Sequence, residues 1–392
     1  MRKWLFASLN AVCLILLQML YLNSNWVAPV EEDIVELLTK IETYFFHPSK
    51  PADKIIFINT AYSAAITNYN DSENSGTISI TDRQKLAAFF SYLADHNNQH
   101  QYVLCDVRFT DSSASDSILN SSLSRLTKYV LPKHIDTATK RPLISVIRDT
   151  QRLALADYVT YGSNFSKMML YEKDHGASIP LRMFQDIPET NKKPYTFHYS
   201  WFGLVSGLHS IPNSIFPRFY YTGEDLHKHQ VSLNNVLNMI GQIKGKEASD
   251  QLYNSIFKGS IIAIGNFNDD IQPTAIGYLP GTLLLLNSYL TLKHKYDVFS
   301  IWYLLFLFVC FTLISYYVFH HKLLQARFTS VNNHRIIQYC FKKDRLFFVL
   351  MLVSITGDLC FGIRSTILLL TLYFLFLEHG KNIFHFIKNF FV

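Results

Sequence analysis

GNFNDDIQPTAIGYLPG, residues 265–281, joins the β-type run GSIIAIGNF to the apolar, helix-like run PGTLLLLNSYLTLKH. Three glycines, two prolines and the adjacent Asp269 and Asp270 crowd these seventeen positions. A phosphate-binding P-loop needs the lysine of GxxxxGK[ST], which is missing here. A calcium loop needs acidic residues at alternate positions, a glycine, and a glutamate further on. Adjacent aspartates on an extended segment point to opposite faces, so Asp269 and Asp270 do not readily share one ion. The stretch therefore reads as punctuation within an α/β fold. Gly265 ends a buried strand, and Gly277, Pro280 and Gly281 turn the chain into a helix.

Working upstream, the same alternation recurs. DKIIFINT (53–60) is a short β-branched and aromatic run entered from the turn HPSKPA. The polar stretch NYNDSENSGT predicts a long loop. TDRQKLAAFFSYLADH places Thr81 and Gln84 at capping-box spacing, ahead of Leu86, Phe89, Phe90 and Leu93 on one helical face. YVLCDVRF (102–109) is the next strand, and strand–helix–strand in this order implies a right-handed parallel crossover. SASDSILNSSLSRLTKYVL predicts a helix and RPLISVIR (141–148) a third strand. SKMMLYE and PRFYYTG predict strands, SLNNVLNMIGQI and ASDQLYNSIF helices. No fixed-period repeat and no low-complexity tract is present. The expected fold class is α/β, a mixed sheet with flanking helices.

Charge-free apolar runs set the expected topology. Residues 4–22 carry no charge and follow Arg2 and Lys3. A cleaved signal peptide shares that pattern, but the run is long for one and YLNSNW lacks a small-x-small cleavage site, so residues 1–22 read as a retained anchor. Residues 299–319 form a second such run. A third, 346–377, is broken only by Asp358 and Arg364. As one helix it would be roughly 48 Å long against a ~30 Å hydrocarbon core. GDLCFGIRS therefore reads as a tight outer turn between two short spans, with a single steeply tilted helix as the competing reading. That expectation gives one N-terminal and three C-terminal transmembrane segments.

The segment between the second and third runs carries Lys322, Arg327, Arg335, Lys342, Lys343 and Arg345 against Asp344 alone. By the positive-inside rule it lies in the cytoplasm, as do Arg2 and Lys3, which puts residues 23–297 outside. The acidic VEEDIVE after the first run agrees. The expected layout is an anchor (1–22), an extracytoplasmic domain (23–297), a span (298–319) and a basic loop (320–345). Two short spans (346–378) and an amphipathic tail (379–392) complete it. The implied location is a bacterial inner membrane, multi-pass, with the lipid bilayer as first partner. The formal charge of +6 owes much to membrane-flanking residues, so it gives no reason to expect nucleic acid. Of five cysteines only Cys105 falls in the outer region, so no disulfide forms within it.

Several constellations have bland readings. His227 and His229 have the H-x-H spacing of a metal pair on a strand, but with no third ligand they read as a solvated loop. Arg148 and Asp149 sit at the end of the expected third strand, where ligands gather in open α/β sheets; a structural ion pair is the plainer reading. YGSNF lacks the second glycine of a nucleophile elbow. Asp358 and Arg364 read as turn residues rather than a proton relay. In the tail, Ile383, Phe384, Ile387 and Phe391 alternate with Lys381, His385 and Lys388, a pattern for a last span, an interfacial helix or a docking surface.

The stretch AIGNFNDD…TAIGYLPGTLLLLNSYLTL resembles the closing motif of the type-two CHASE domain, a sensory extracellular domain associated with cyclases and histidine kinases in bacteria. That motif is an apolar strand ending in IG, a loop with Asp and Thr, then a G-x-x-PG helix ending in Asn-Ala. Gly265, Asp269, Thr274, Gly277, Pro280, Gly281 and Asn287 fall on it, with Ser288 in place of the alanine. The D-x-x-F of Asp106 and Phe109, the segment GASIPLRMF and the stretch PRFYYTGED are similar to earlier family elements, so the likeness spans roughly residues 1–380. The resemblance implies a sensor with ligand contacts at Asp106, Asp269 and Thr274; Asp270, beside Asp269, and Arg148, at the end of an expected strand, are the further ligand candidates, and the chain is expected to be non-enzymatic. Gly277, Pro280, Gly281 and Asn287 would belong to a signal-coupling helix. Two departures bear on function. Asn59 stands where the family often has aspartate, and only fourteen residues follow residue 378 where the family has a catalytic domain. Output would then pass through a membrane or cytoplasmic partner, or a second copy of the chain. No cofactor or metal is expected; the alternative is a metal-dependent envelope enzyme built on Asp106, Asp269 or Asp270.

Overall fold

The computed structural model describes residues 2–24, 29–46, 52–71, 74–136, 138–156, 159–161, 164–187, 196–200, 203–206, 209–294, 298–319, 345–364, 370–371 and 373–374. In chain order the elements begin with α1 (Arg2–Leu22), α2 (Pro29–Ile41), β1 (Ile55–Asn59), β2 (Ala64–Asp71), β3 (Asn74–Thr81) and α3 (Arg83–Asp95). Next come β4 (Tyr102–Asp106), α4 (Asp116–Arg125), β5 (Tyr129–Lys133), β6 (Leu153–Leu155), β7 (Val159–Tyr161) and β8 (Asn164–Met169). They continue with β9 (Tyr171–Glu172), β10 (Gly176–Ala177), α5 (Ile179–Asp186), β11 (His198–Ser200), β12 (Gly203–Ser206), β13 (His209–Ile211) and β14 (Ser214–Ile215). Then follow α6 (Gly223–His229), β15 (Gln230–Ser232), α7 (Leu233–Gln242), α8 (Lys246–Ile256), β16 (Ile261–Gly265), β17 (Ile271–Thr274) and β18 (Gly277–Pro280). The last are α9 (Gly281–Lys293), α10 (Ile301–Phe319) and α11 (Arg345–Phe361).

Two compact units emerge: Thr39–Thr196 with Phe216–His294, and Met1–Leu38 with Phe197–Ile215 and Lys295–Val392. The first is built on a parallel sheet in the order β15-β1-β16-β4-β5-β6. β16 is central and all five of its residues are buried, as a parallel strand covered on both faces requires. On one face, Ile58, Val103, Cys105, Ile262 and Ile264 pack with Leu86, Phe89, Phe90 and Leu93 of α3, Leu119 and Leu123 of α4, and Leu233 and Val236 of α7. Each such side chain contributes about 1.5–3 kcal/mol by leaving water. The other face is covered by α9, in which every residue from Gly281 to Leu292 is buried. Its leucines lie on every side, as in a helix enclosed on all faces, and its polar Thr282, Asn287, Ser288 and Thr291 are buried and hydrogen-bonded.

Five local expectations are corrected. Asp82, not Thr81, caps α3, its carboxylate accepting from the backbone N–H of Gln84 (3.0 Å) and Lys85 (3.2 Å). The third strand along the chain in the core sheet is β5, whose residues YVLPK lay at the end of a predicted helix and beyond it. RPLISVIR forms no strand, and Ile144 within it is 89 % exposed. Short apolar runs do not declare their element by pattern alone, and here the pairing of Tyr129 and Val130 with β4 decides. Much of NYNDSENSGT lies in the antiparallel arms β2 and β3, with Asn70 opposite Ser75. PRFYYTG forms no strand because a side chain, Asn287, takes up the backbone groups that a neighbouring strand would. The 265–281 link also holds more than turns: β17 and β18 pair as an antiparallel hairpin through Gly277, whose φ is +110°.

In the other unit, Asn10 on α1 donates to Ser315 Oγ on α10 at 2.8 Å, and Trp4 stacks on Tyr316 with centroids 4.1 Å apart. β11, β12 and β13 form a small antiparallel sheet. Asn23 just beyond α1 accepts from the backbone N–H of Asn213 at 2.7 Å. Trp4–Leu22 is the one helix among the described residues long and apolar enough to cross a membrane. The apolar stretches Ile301–Tyr316 and Phe348–Phe361 are shorter. α11 stops at Phe361, where Gly362 takes φ +71°, so the third apolar run is not one continuous 32-residue helix. Asp358 lies in the last turn of α11 and accepts from Arg364 Nε at 3.3 Å, both residues being buried. The second of the two short spans expected within 346–378 and the amphipathic tail fall almost wholly outside the described residues, as does nearly all of the basic loop.

Candidate functional site

A topological switch marks the sheet's C-terminal edge. The connections leaving β1 and β4 lead to α3 and α4 on one face, and the connection leaving β16, which lies between them, leads to α9 on the other. In open α/β sheets ligands settle where neighbouring connections diverge in this way. Parallel pairing sets Asn59, Gly265 and Asp106 side by side at the strand ends, so all three face α9. Gly265 must lack a side chain there. A Cβ would meet Thr282 Oγ1 at 2.0 Å.

The crevice between β16 and β4 is acidic. Asp106 Oδ2 accepts from Thr282 Oγ1 at 3.1 Å, in the first turn of α9. A Cβ on Gly281 would lie 2.5 Å from Asp270 Oδ2 and 3.4 Å from Asp106 Oδ2. The two carboxylate oxygens therefore stand no more than about 6 Å apart, within the range over which like charges disfavour each other's ionisation. Burial pushes the Asp270 carboxyl above its ordinary value, opposed by a hydrogen bond from Gln272 Nε2 and by the nearby His134. The amide of Gly281 donates to the Asp270 carbonyl at 2.9 Å, locking the loop to the start of the helix. The helix N-terminus helps to offset the paired negative charge. Cys105, one residue before Asp106 and fully buried, is held well above the usual thiol range, by burial first and by Asp106 second, so it is no nucleophile.

The crevice between β16 and β1 is neutral. Asn59, 3 % exposed, donates to Gln230 Oε1 (3.0 Å) and Asn268 Oδ1 (3.1 Å), and its own oxygen accepts from the amides of Ala61 and Phe267. Asn268 in turn donates to the hydroxyl of Tyr62.

Of the residues expected to bind ligand, Asp106 and Asp270 come together, and the others do not. Asp269 is exposed and accepts from Asn266 Nδ2 at 2.8 Å. Thr274 closes the β17–β18 turn, its hydroxyl donating to the Gly277 carbonyl at 2.6 Å. Arg148 is exposed and follows no strand, while Asp149 caps a short 3-10 turn through the amide of Gln151. Of the expected coupling residues, Gly277 shapes the hairpin and Pro280 and Gly281 open α9. Asn287, fully buried, grips the backbone of Tyr220 and Tyr221. At the far end of α9, Lys293 Nζ donates to Asp53 Oδ2 at 2.6 Å. His227 and His229 sit on α6, two residues apart on a helix and both exposed, so they do not face one point. Thr282, Gln272 and His134 were missed from sequence. His134 would have been found had β5 been placed, because it is the first residue beyond that strand.

Among the described residues, no three His, Cys, Asp or Glu side chains converge as a metal site would. No family model, curated protein or solved structure matches this chain.

Proposed function

We propose that the chain is a non-enzymatic integral membrane protein whose α/β unit binds a ligand or an envelope partner outside the cytoplasm. Binding is relayed through α9. The observation that carries this reading is the Asp106–Asp270 carboxylate pair, gathered at a topological switch and bonded to the first turn of α9. The same helix ends at Lys293, eight residues before the apolar helix α10 begins at Ile301. A change at the crevice thus bears on a buried helix that continues in sequence into an apolar one. The resemblance to type-two CHASE domains supports a sensory role, and the output falls to a membrane or cytoplasmic partner or a second copy.

In this reading α1, α10, α11 and the apolar residues after Gly362 are bilayer spans, and the basic segment 320–345 is cytoplasmic. Cysteine labelling tests it. Tyr62, 69 % exposed, replaced by cysteine should react with a membrane-impermeant maleimide in intact spheroplasts, and Cys340 only after permeabilisation. The reverse pattern contradicts the topology. The rival reading, a metal-dependent envelope enzyme, draws on the same two aspartates. It requires a thermal stability that falls on EDTA treatment, where ours expects none.

A further inference from the structure

The edge of the α/β unit opposite the candidate site carries a cluster of histidine and tyrosine side chains that the proposed function does not use. His100, just before β4, is fully buried. Its backbone N–H donates to the hydroxyl of Tyr253 on α8 at 2.9 Å, and its Nδ1 lies 3.3 Å from the same hydroxyl. The hydroxyl, already accepting from the His100 amide, directs its own proton to Nδ1. The ring proton then sits on Nε2, which is buried and makes no hydrogen bond. The Tyr253 ring stacks on His96, the residue that ends α3, with centroids 4.5 Å apart and planes 5° apart. His96 Nδ1 lies 2.8 Å from the Tyr92 carbonyl, and its Nε2 lies 3.3 Å from Asp250 Oδ1 and 3.2 Å from Ser249 Oγ on α8. These contacts fasten α8 to the end of α3 and the start of β4.

His96 Nε2 sits beside the Asp250 carboxylate. A proton added to His100 at Nδ1 turns a donor against the Tyr253 hydroxyl, inside the protein and near the cation of Lys128. Tyr92 faces the same tyrosine ring, with centroids 6.0 Å apart, and supplies no negative charge at ordinary pH. The Lys128 backbone carbonyl works the other way, favouring the protonated ring, but is outweighed by burial and the Lys128 cation.

We propose that His100, Tyr253 and His96 form an acid-released clasp: protonation of His100 frees α8 from α3 and β4 while the rest of the parallel sheet stays folded. Burial first, then Lys128, lowers the His100 pKa from 6.5 to about 4. A group whose folded pKa is depressed binds its proton more readily once exposed, so acid favours the open state. The clasp is intact above pH 6.5 and weakens as pH falls from there towards 4.

Hydrogen exchange on the full chain in detergent tests this, with rates corrected for the intrinsic effect of pH. Opening of residues 246–257 should rise about tenfold per pH unit below 6.5, or roughly 30-fold by pH 5, while 261–265 keeps its protection. His100→Asn offers the Tyr253 hydroxyl a neutral acceptor and should flatten the profile. Should that variant fold poorly, Lys128→Gln, at an exposed position, removes the opposing cation and should move the onset to higher pH. The clasp is refuted by a wild-type profile without pH dependence, by equal loss of protection in 261–265, or by profiles that neither substitution alters.

Discussion

The two crevices beside Gly265 share one sheet edge and differ in how their polar groups are used. On the β1 side, both protons and the oxygen of the Asn59 amide are engaged, and the amide ties two loops and a neighbouring strand together. On the β4 side, two carboxylates stand within about 6 Å of each other, and burial raises the Asp270 carboxyl above its ordinary value. Satisfied polar networks fix a fold, whereas like charges kept close store a cost that a ligand could relieve. The neutral crevice serves stability, and the acidic one is where we propose that binding occurs.

Gly265 separates the two, so altering it should have the largest effect. Gly265→Ala forces a methyl into the Thr282 side chain and should lower stability by about 3 kcal/mol, read as a shift in the urea midpoint by circular dichroism. Adding Thr282→Ala should recover part of the loss; no recovery would mean that the close approach is not the cause. Asn59→Asp comes next. It exchanges a donor of two hydrogen bonds for a charge facing two amide oxygens and should cost about 2 kcal/mol.

Asp270→Asn should have the opposite sign. The amide keeps an acceptor for Gln272 and removes one of the two facing charges, so stability at pH 7 should hold or rise by up to about 1 kcal/mol. The pH sense follows from the raised carboxyl. The folded protein takes up the proton more readily than the unfolded chain, so the penalty is full above the raised value and fades as pH falls through it towards 3.8. The gap between variant and wild type should close over that window, and a gap that widens on acidification would reverse the assignment. Arg148→Ala, at an exposed side chain beyond both crevices, should stay within about 0.5 kcal/mol.

Much of this architecture was legible in the residues. IIAIG announced a buried parallel strand, and the spacing of Leu86, Phe89, Phe90 and Leu93 announced the helix that covers it. Glycine and proline placed the entry to α9. What could not be read depended on partners distant in sequence. YVLPK and RPLISVIR are equally apolar, and only pairing with β4 selects the first. PRFYYTG looks like a strand because it is extended, yet its partner is one asparagine some 66 residues further on. Asp106 and Asp270 were nominated for their chemistry, but their approach depends on two glycines whose missing side chains leave room. Thr274 was nominated on position within a motif and closes a turn instead, while Arg148 was nominated at the end of a strand that does not form.

The acidic crevice is either charge kept in store or part of the scaffold. Urea denaturation of the full chain at pH 7.5, comparing wild type with the Asp106→Asn, Asp270→Asn pair, decides it. Amides retain the acceptors for Thr282 and Gln272, so the account predicts a double variant at least as stable as wild type. A loss of 2 kcal/mol or more would make the two carboxylates structural bonds and leave the crevice without a binding role.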